Sequence, residues 1–291
     1  MRACRRSRTR ASRARARAAA TRGRQRRRRC VGAARGPRGG TCLHLPRRRP
    51  RVESELRLYD VAVTPGREYA VVVGAIVVTG LALAVLPLTA STAVAVAATL
   101  GFLLLAHRQR LSPGDLGLGR DRLRAGAWWA AAAVGAFAAV YAVAYTLPAT
   151  RDLLVDERTP GSPADLAVRV LVVIPLHTVL LEELVFRGVV QGMVRRDRGV
   201  RTATVVSSLL FGLWHLGSAS SALDGNRSVA GAVGDSLVVT VLGMVAIVVG
   251  TALAGAALAY ARERSGSLLA PIGLHWAANA VGTIATYAAT R

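Results

Sequence analysis

From residue 69 onward the chain alternates long apolar stretches with short polar ones, and seven of the apolar stretches approach the length of a membrane crossing. They are Tyr69–Leu88, Ala90–Ala106, Ala125–Leu147, Ala167–Met193, Thr202–Leu216, Ser236–Tyr260 and Leu268–Tyr287. Crossing the hydrocarbon core takes roughly 20 mostly apolar residues. Inside it every backbone polar group must be satisfied within the protein, which favours helices. The pattern predicts an all-α, polytopic transmembrane helix bundle of about 7 spans, with about 6–8 as the range. The first two spans are joined so tightly around Pro87 that a hairpin and a kinked re-entrant pair both fit. The stretch 202–216 is short at its far end.

The polar connections test this layout. His107–Arg124 holds five Arg against two Asp, Arg195–Arg201 four Arg against one Asp, and Arg262–Arg264 two Arg and one Glu. The alternate connections, Thr150–Ser162 and Gly217–Asp235, are not basic. Basic loops stay on the cytoplasmic side. The alternation therefore predicts a multi-pass protein of the cell (inner) membrane with a cytoplasmic N-terminus.

Charge is concentrated before the first span. All 39 basic residues are Arg, and 20 of them lie in residues 1–51, which contain no acid; of the net +23, only +3 belongs to the rest. A segment of this composition cannot bury a core and is expected to be disordered, so residues 1–66 are read as an Arg-rich tail ahead of a helical domain at 67–291. It reads either as a polybasic arm or as sequence upstream of a true start at Val31 or Val52. With no aromatic interleaved, the second is favoured and nucleic acid is not an expected partner. The three cysteines (Cys4, Cys30, Cys42) are all in this tail, so the membrane domain has neither a disulfide nor a thiolate metal site.

Polar residues inside the apolar runs carry the chemistry. Leu180-Leu181-Glu182-Glu183-Leu184-Val185-Phe186-Arg187 puts three charges at membrane depth, each costing roughly 2.5 kcal/mol or more unless partnered. Glu183 and Arg187, at i and i+4, share a helix face and can pair. Glu182 is turned about 100° away and is left to find a partner on another helix. Two later spans offer one, through Phe211-x-x-x-His215 and His275-x-x-x-Asn279. Glu182 and His215 lie nearly equidistant from the turn near residue 198. In an antiparallel pair both sit roughly 18 Å deep, with His275 roughly 12 Å deep in the last hairpin. A carboxylate, two imidazoles and an amide thus converge near mid-membrane. Such a set can activate water, with the carboxylate as general base and an imidazole sharing the proton or holding a metal. His275 and Asn279 can donate to a developing oxyanion. His177 is read as a packing or hydrogen-bonding residue, and Trp214 and Trp276 as walls of the pocket or as residues that pack against neighbours. His107 is placed in a loop.

These residues resemble the CPBP family, the type II CAAX prenyl proteases and bacteriocin-processing (Abi) membrane proteins, whose pattern is E-E-x-x-x-R, then F-x-x-x-H, then H-x-x-x-N/D. Here it stands as Glu182-Glu183…Arg187, Phe211…His215 and His275…Asn279, with EELVFRGVVQG around the first motif. The resemblance covers about residues 165–285. It implies an intramembrane endopeptidase acting on a membrane-associated peptide or protein substrate, CAAX-protease-like or of bacteriocin type, within the lipid bilayer. Carried over, Glu182 and His215 activate the attacking water, His275 and Asn279 stabilise the oxyanion, and Glu183 and Arg187 support the geometry. Family members are described both as metalloproteases and as metal-independent glutamate enzymes. Glu182, His215 and His275 are therefore expected ligands if Zn2+ is present. The rival expectations are a non-catalytic bacteriocin-immunity or scaffold protein of the same fold, and an ion or proton carrier. The latter is disfavoured by the lack of inverted repeats.

Overall fold

The computed structural model describes residues 65–151, 154–155, 159–219 and 237–291. Residues 1–64 of the expected tail and most of the connection 217–235 lie outside the described residues, and Pro65 and Gly66, expected in the tail, already belong to the first helix. Helix α1 (Pro65–Val85) and helix α2 (Leu88–Arg108) form a hairpin. Pro87 sits at its turn in an extended conformation, where its missing N–H costs no helical bond. Both arms have 21 residues, so the pair is a full hairpin rather than a re-entrant kink. His107, expected in a loop, stands in the last turn of α2.

A one-turn helix, α3 (Pro113–Leu116), follows, closed by a capping box between Ser112 and Asp115. It ends at Gly117, which is left-handed at φ 74°. The Gly117 carbonyl accepts from the Leu268 amide at 2.8 Å, and Arg262, 2 % exposed, reaches over to donate to the carbonyls of Gly114 and Asp115. Helix α4 is Leu123–Thr146. Helix α5 runs Pro163–Arg198, opened by Ser162 as N-cap. Helix α6 (Val200–Trp214), α7 (Leu237–Ser265) and α8 (Leu269–Ala289) complete the bundle. Glycines with positive φ (Gly199 and Gly266) separate α5 from α6 and α7 from α8.

Among the described residues every stretch expected to span is largely helical, and there is no strand. Among the described residues five helical stretches are long and apolar enough to cross a membrane, in α1, α2, α4, α5 and α7; α6 is shorter, and α8, expected as the last span, has the length but is not among them. At 1.5 Å per residue the 15 residues of α6 reach roughly 22 Å. That is short of a core of about 30 Å, so a chain entering at Gly199 completes this helix before it has crossed.

Helix α5 is the hub. Every residue from Leu181 to Val194 is buried, the signature of a helix covered on all sides. Helices α2, α3, α6 and α8 pack on it. The outer helices show the reverse pattern: Val78, Leu81 and Val85 of α1 and Leu242 and Leu253 of α7 are each more than 60 % exposed, apolar surface suited to lipid. Helices α4 and α8 approach closely through small residues, with Gly273 directly against Ala130.

Most of the middle of α5 is π-helical, over Arg169–Val179 and again over Glu183–Val190, with one α-turn at Leu180–Glu182 between them. From its apolar pattern this span reads as a regular α-helix. Pro175 supplies a physical reason for the first departure. It has no N–H to give to the carbonyl four residues back, and its ring crowds that carbonyl, so i→i+5 bonding relieves both.

Candidate active site

The charges of α5 are fully enclosed. Glu183 and Arg187 are each 0 % exposed, and Glu182 is 6 % exposed. Arg187 Nη1 donates to Glu183 Oε1 at 3.1 Å, the i,i+4 pair expected from the sequence. Its Nη2 donates to the Gly255 carbonyl of α7 at 3.2 Å. The guanidinium carbon lies 3.9 Å from the centre of the Phe211 ring, a cation–π contact in a dry site. Arg187 is therefore tied to α5, α6 and α7 at once.

Glu183 has a second partner that its spacing does not reveal. His275 Nδ1 stands 2.7 Å from Glu183 Oε1, so that one oxygen accepts from both Arg187 and His275. With Nδ1–H committed to the carboxylate, the Nε2 edge of His275 points to Glu182, 3.9 Å from its Oε2. His215, the residue that caps the end of α6, is held in the same sense. Its Nδ1 is 2.8 Å from the Phe211 carbonyl, which can only accept, so Nδ1 carries the proton. Its Nε2 also lies 3.9 Å from Glu182 Oε2.

Glu182 Oε1 accepts from the Trp214 indole N–H at 3.0 Å. Glu182 Oε2 is buried and has no hydrogen-bond partner among the described residues. One bare carboxylate oxygen thus faces two ring nitrogens at distances too long for direct hydrogen bonds. An oxygen about 2.8 Å from each of two atoms 3.9 Å apart subtends roughly 90° between them, so a water molecule bridges such a gap without strain.

Zinc takes donors of this kind, and two of the three are imidazoles fixed through their far nitrogens, as metal-bound imidazoles are. The spacing is another matter. Ligands on a tetrahedral zinc with bonds of about 2.0–2.1 Å lie roughly 3.4 Å apart. Here the separations from Glu182 are 3.9 Å, and among the described residues no group of three or more His, Cys, Asp or Glu is placed to hold a metal ion. The set fits zinc in kind and not in distance.

The walls are aromatic. Phe186 packs edge-on against Phe211 and Trp214, with ring centres 5.4 and 5.8 Å apart, and Phe211 lies 4.6 Å from the His215 ring and 5.9 Å from that of His275. Asn279 lies one turn beyond His275 on α8 and is half-buried; its side chain forms no hydrogen bond among the described residues. Of the residues singled out in the sequence, Glu182, Glu183, Arg187, His215 and His275 meet in one cluster. His177 bonds to Ser91 of α2 at 3.1 Å, consistent with a hydrogen-bonding residue. Trp276 donates to the Val170 carbonyl at 3.0 Å, tying α8 to α5. Trp214, expected as a wall or a packing residue, also bonds Glu182. The signal for that bond is its position beside His215, at the depth of Glu182.

Residues 164–281 match the family model described as type II CAAX prenyl endopeptidase Rce1-like. The match covers all three motifs and bears out the resemblance to the CPBP membrane proteases. No curated protein and no solved structure matches the chain.

Proposed function

On the premise that residues 164–281 are an Rce1-like domain of the CPBP membrane-protease family, we propose that this multi-pass membrane protein is an intramembrane endopeptidase driven by Glu182 and two histidines. The observation that carries the reading is the buried, unpartnered Oε2 of Glu182, equidistant at 3.9 Å from the Nε2 atoms of His215 and His275. Water held between Glu182 and His215 loses its proton to the carboxylate as it attacks the scissile carbonyl. Glu182 then returns that proton to the leaving amine. His215 keeps its Nδ1 proton on the Phe211 carbonyl, so its Nε2 lone pair faces the water and orients it.

The oxyanion needs donors. The buried cluster holds two carboxylates and one guanidinium, so a proton shared with His275 balances its charge. A doubly protonated His275 keeps its bond to Glu183 and turns an Nε2–H towards the reacting carbonyl. The free amide of Asn279, one turn on, supplies a second donor. Glu183 and Arg187 hold the His275 ring in place. Zn2+ belongs to this proposal as an alternative: Glu182, His215 and His275 would be its ligands, and it would supply Lewis-acid activation of water.

The substrate is a membrane-associated peptide, CAAX-protease-like or of bacteriocin type. The protein lies in the cell membrane with its basic loops, and so its N-terminal side, in the cytoplasm. The test is cleavage of a fluorescence-quenched farnesylated CAAX peptide and a hydrophobic leader peptide by protein in nanodiscs. Wild type should cut at least one, with Glu182→Gln and His215→Ala each reduced at least about 100-fold. Equal rates in all three proteins would remove the assignment.

A further inference from the structure

The water-activating carboxylate has two oxygens, and the site distinguishes them. Oε2 faces the imidazoles; Oε1 is held by one donor, the indole N–H of Trp214, at 3.0 Å. The carboxylate can rotate about its last torsion, a broad and roughly two-fold rotor. Nothing else among the described residues bonds Oε1, so this donor is what selects which oxygen is presented to the histidines. We propose that Trp214 is a positioning residue that fixes the Glu182 carboxylate for reaction, and that helix α1, outside the segment matched by the family model, sets the position of Trp214.

The second half rests on Gly80. The indole ring is held on one face by Phe186, with ring centres 5.8 Å apart, and on another by α1, where a Cβ on Gly80 would lie 3.1 Å from Trp214 Cζ3. The ring occupies the space that a side chain at residue 80 would need. Trp214 is also the last residue of α6 and directly precedes the cap His215, so displacing the indole disturbs both groups that address Glu182. The hairpin α1–α2 is thus a working part of the site rather than a membrane anchor added to it.

This inference rests on the proteolytic reading for its kinetic arm only. Trp214→Phe, and replacement of Trp214 by the sulfur isostere benzothienylalanine, which removes the N–H and keeps the ring, are assayed beside wild type and Gly80→Val on the peptide that wild type cleaves. Without the N–H the carboxylate is free to turn about its last torsion and present either oxygen. The isostere is expected to lower kcat about tenfold or more with KM within twofold, a split that the loss of a merely structural contact would not give. Gly80→Val should show the same split. An isostere as active as wild type would overturn the proposal and leave the indole a packing group.

The second arm needs no turnover. In protein labelled with 15N-tryptophan, the indole cross-peak absent from Trp214→Phe should shift on Glu182→Gln, which replaces a charged acceptor by a neutral one, and on Gly80→Val. An immobile peak in both would sink the positioning role. If wild type cleaves no peptide, the proteolytic reading falls, and this shift alone decides whether Trp214 orients Glu182.

Discussion

His275 is bonded to Glu183 and not to Glu182. Its Nδ1 stands 2.7 Å from Glu183 Oε1, while its Nε2 is 3.9 Å from Glu182 Oε2. The two neighbouring carboxylates therefore have separate tasks: one holds an imidazole and a guanidinium, and the other faces the space where water is activated.

That division predicts a split between stability and activity. Glu183→Gln leaves Arg187 buried without its counter-charge and is expected to cost about 3–5 kcal/mol. Glu182→Gln keeps an acceptor for Trp214 and should leave the thermal midpoint close to wild type while cleavage falls roughly 100-fold or more. Unfolding monitored by fluorimetry beside a peptide assay gives both numbers. Matching stability losses in the two variants would contradict the division.

Arg187 is held by a carboxylate, a carbonyl and an aromatic face together. Arg187→Leu should destabilise by about 3–5 kcal/mol, because two buried carboxylates then have only His275 to balance them. Arg187→Lys should recover little of this: an ammonium cannot form two directed bonds and lie flat on Phe211. Recovery to the wild-type midpoint by Lys would show that charge alone matters here.

The 3.9 Å spacing of the histidines from Glu182 predicts cleavage that survives EDTA. Metal content of the same sample provides the check. One zinc per chain, lost on His215→Ala together with activity, would instead assign Glu182, His215 and His275 as ligands that close around the ion.

Gly117 carries a left-handed backbone, and Arg262 packs where its Cβ would be. Gly117→Ala combines about 1–3 kcal/mol of backbone strain with displacement of a buried arginine. The expected result is a lower thermal midpoint. A midpoint equal to wild type would mean that the turn relaxes without cost.

Much of this arrangement is legible in the order of residues alone. Apolar runs specify the helices because length and composition leave a membrane segment little choice. The meeting of Glu182 with His215 follows from two residues equidistant from one turn. Glu183–Arg187 follows from helical spacing. The partner of Glu183 on α8 is not legible, since a local pair already satisfies the pattern and register between helices 92 residues apart is not written in either one. Trp214 is hidden differently. Adjacent residues on a continuous helix face apart, and only because α6 stops at Trp214, with His215 as its cap, do both side chains address α5. The wide winding of α5 has a single cue, Pro175, which reads equally well as a kink.

The order in which the chain is made bears on the buried charges of α5. The carbonyl that receives Arg187 and the imidazole that receives Glu183 are encoded 68 and 92 residues later. At roughly 5–20 residues per second, the helix waits about 4–15 s after its own synthesis before His275 exists. During that interval Glu183 and Arg187 have each other, four residues apart on one helix, so the segment can partition into lipid as an internally neutralised pair. Glu182 has no such local pair: its hydrogen-bond donor, Trp214, is encoded 32 residues later, at the end of α6.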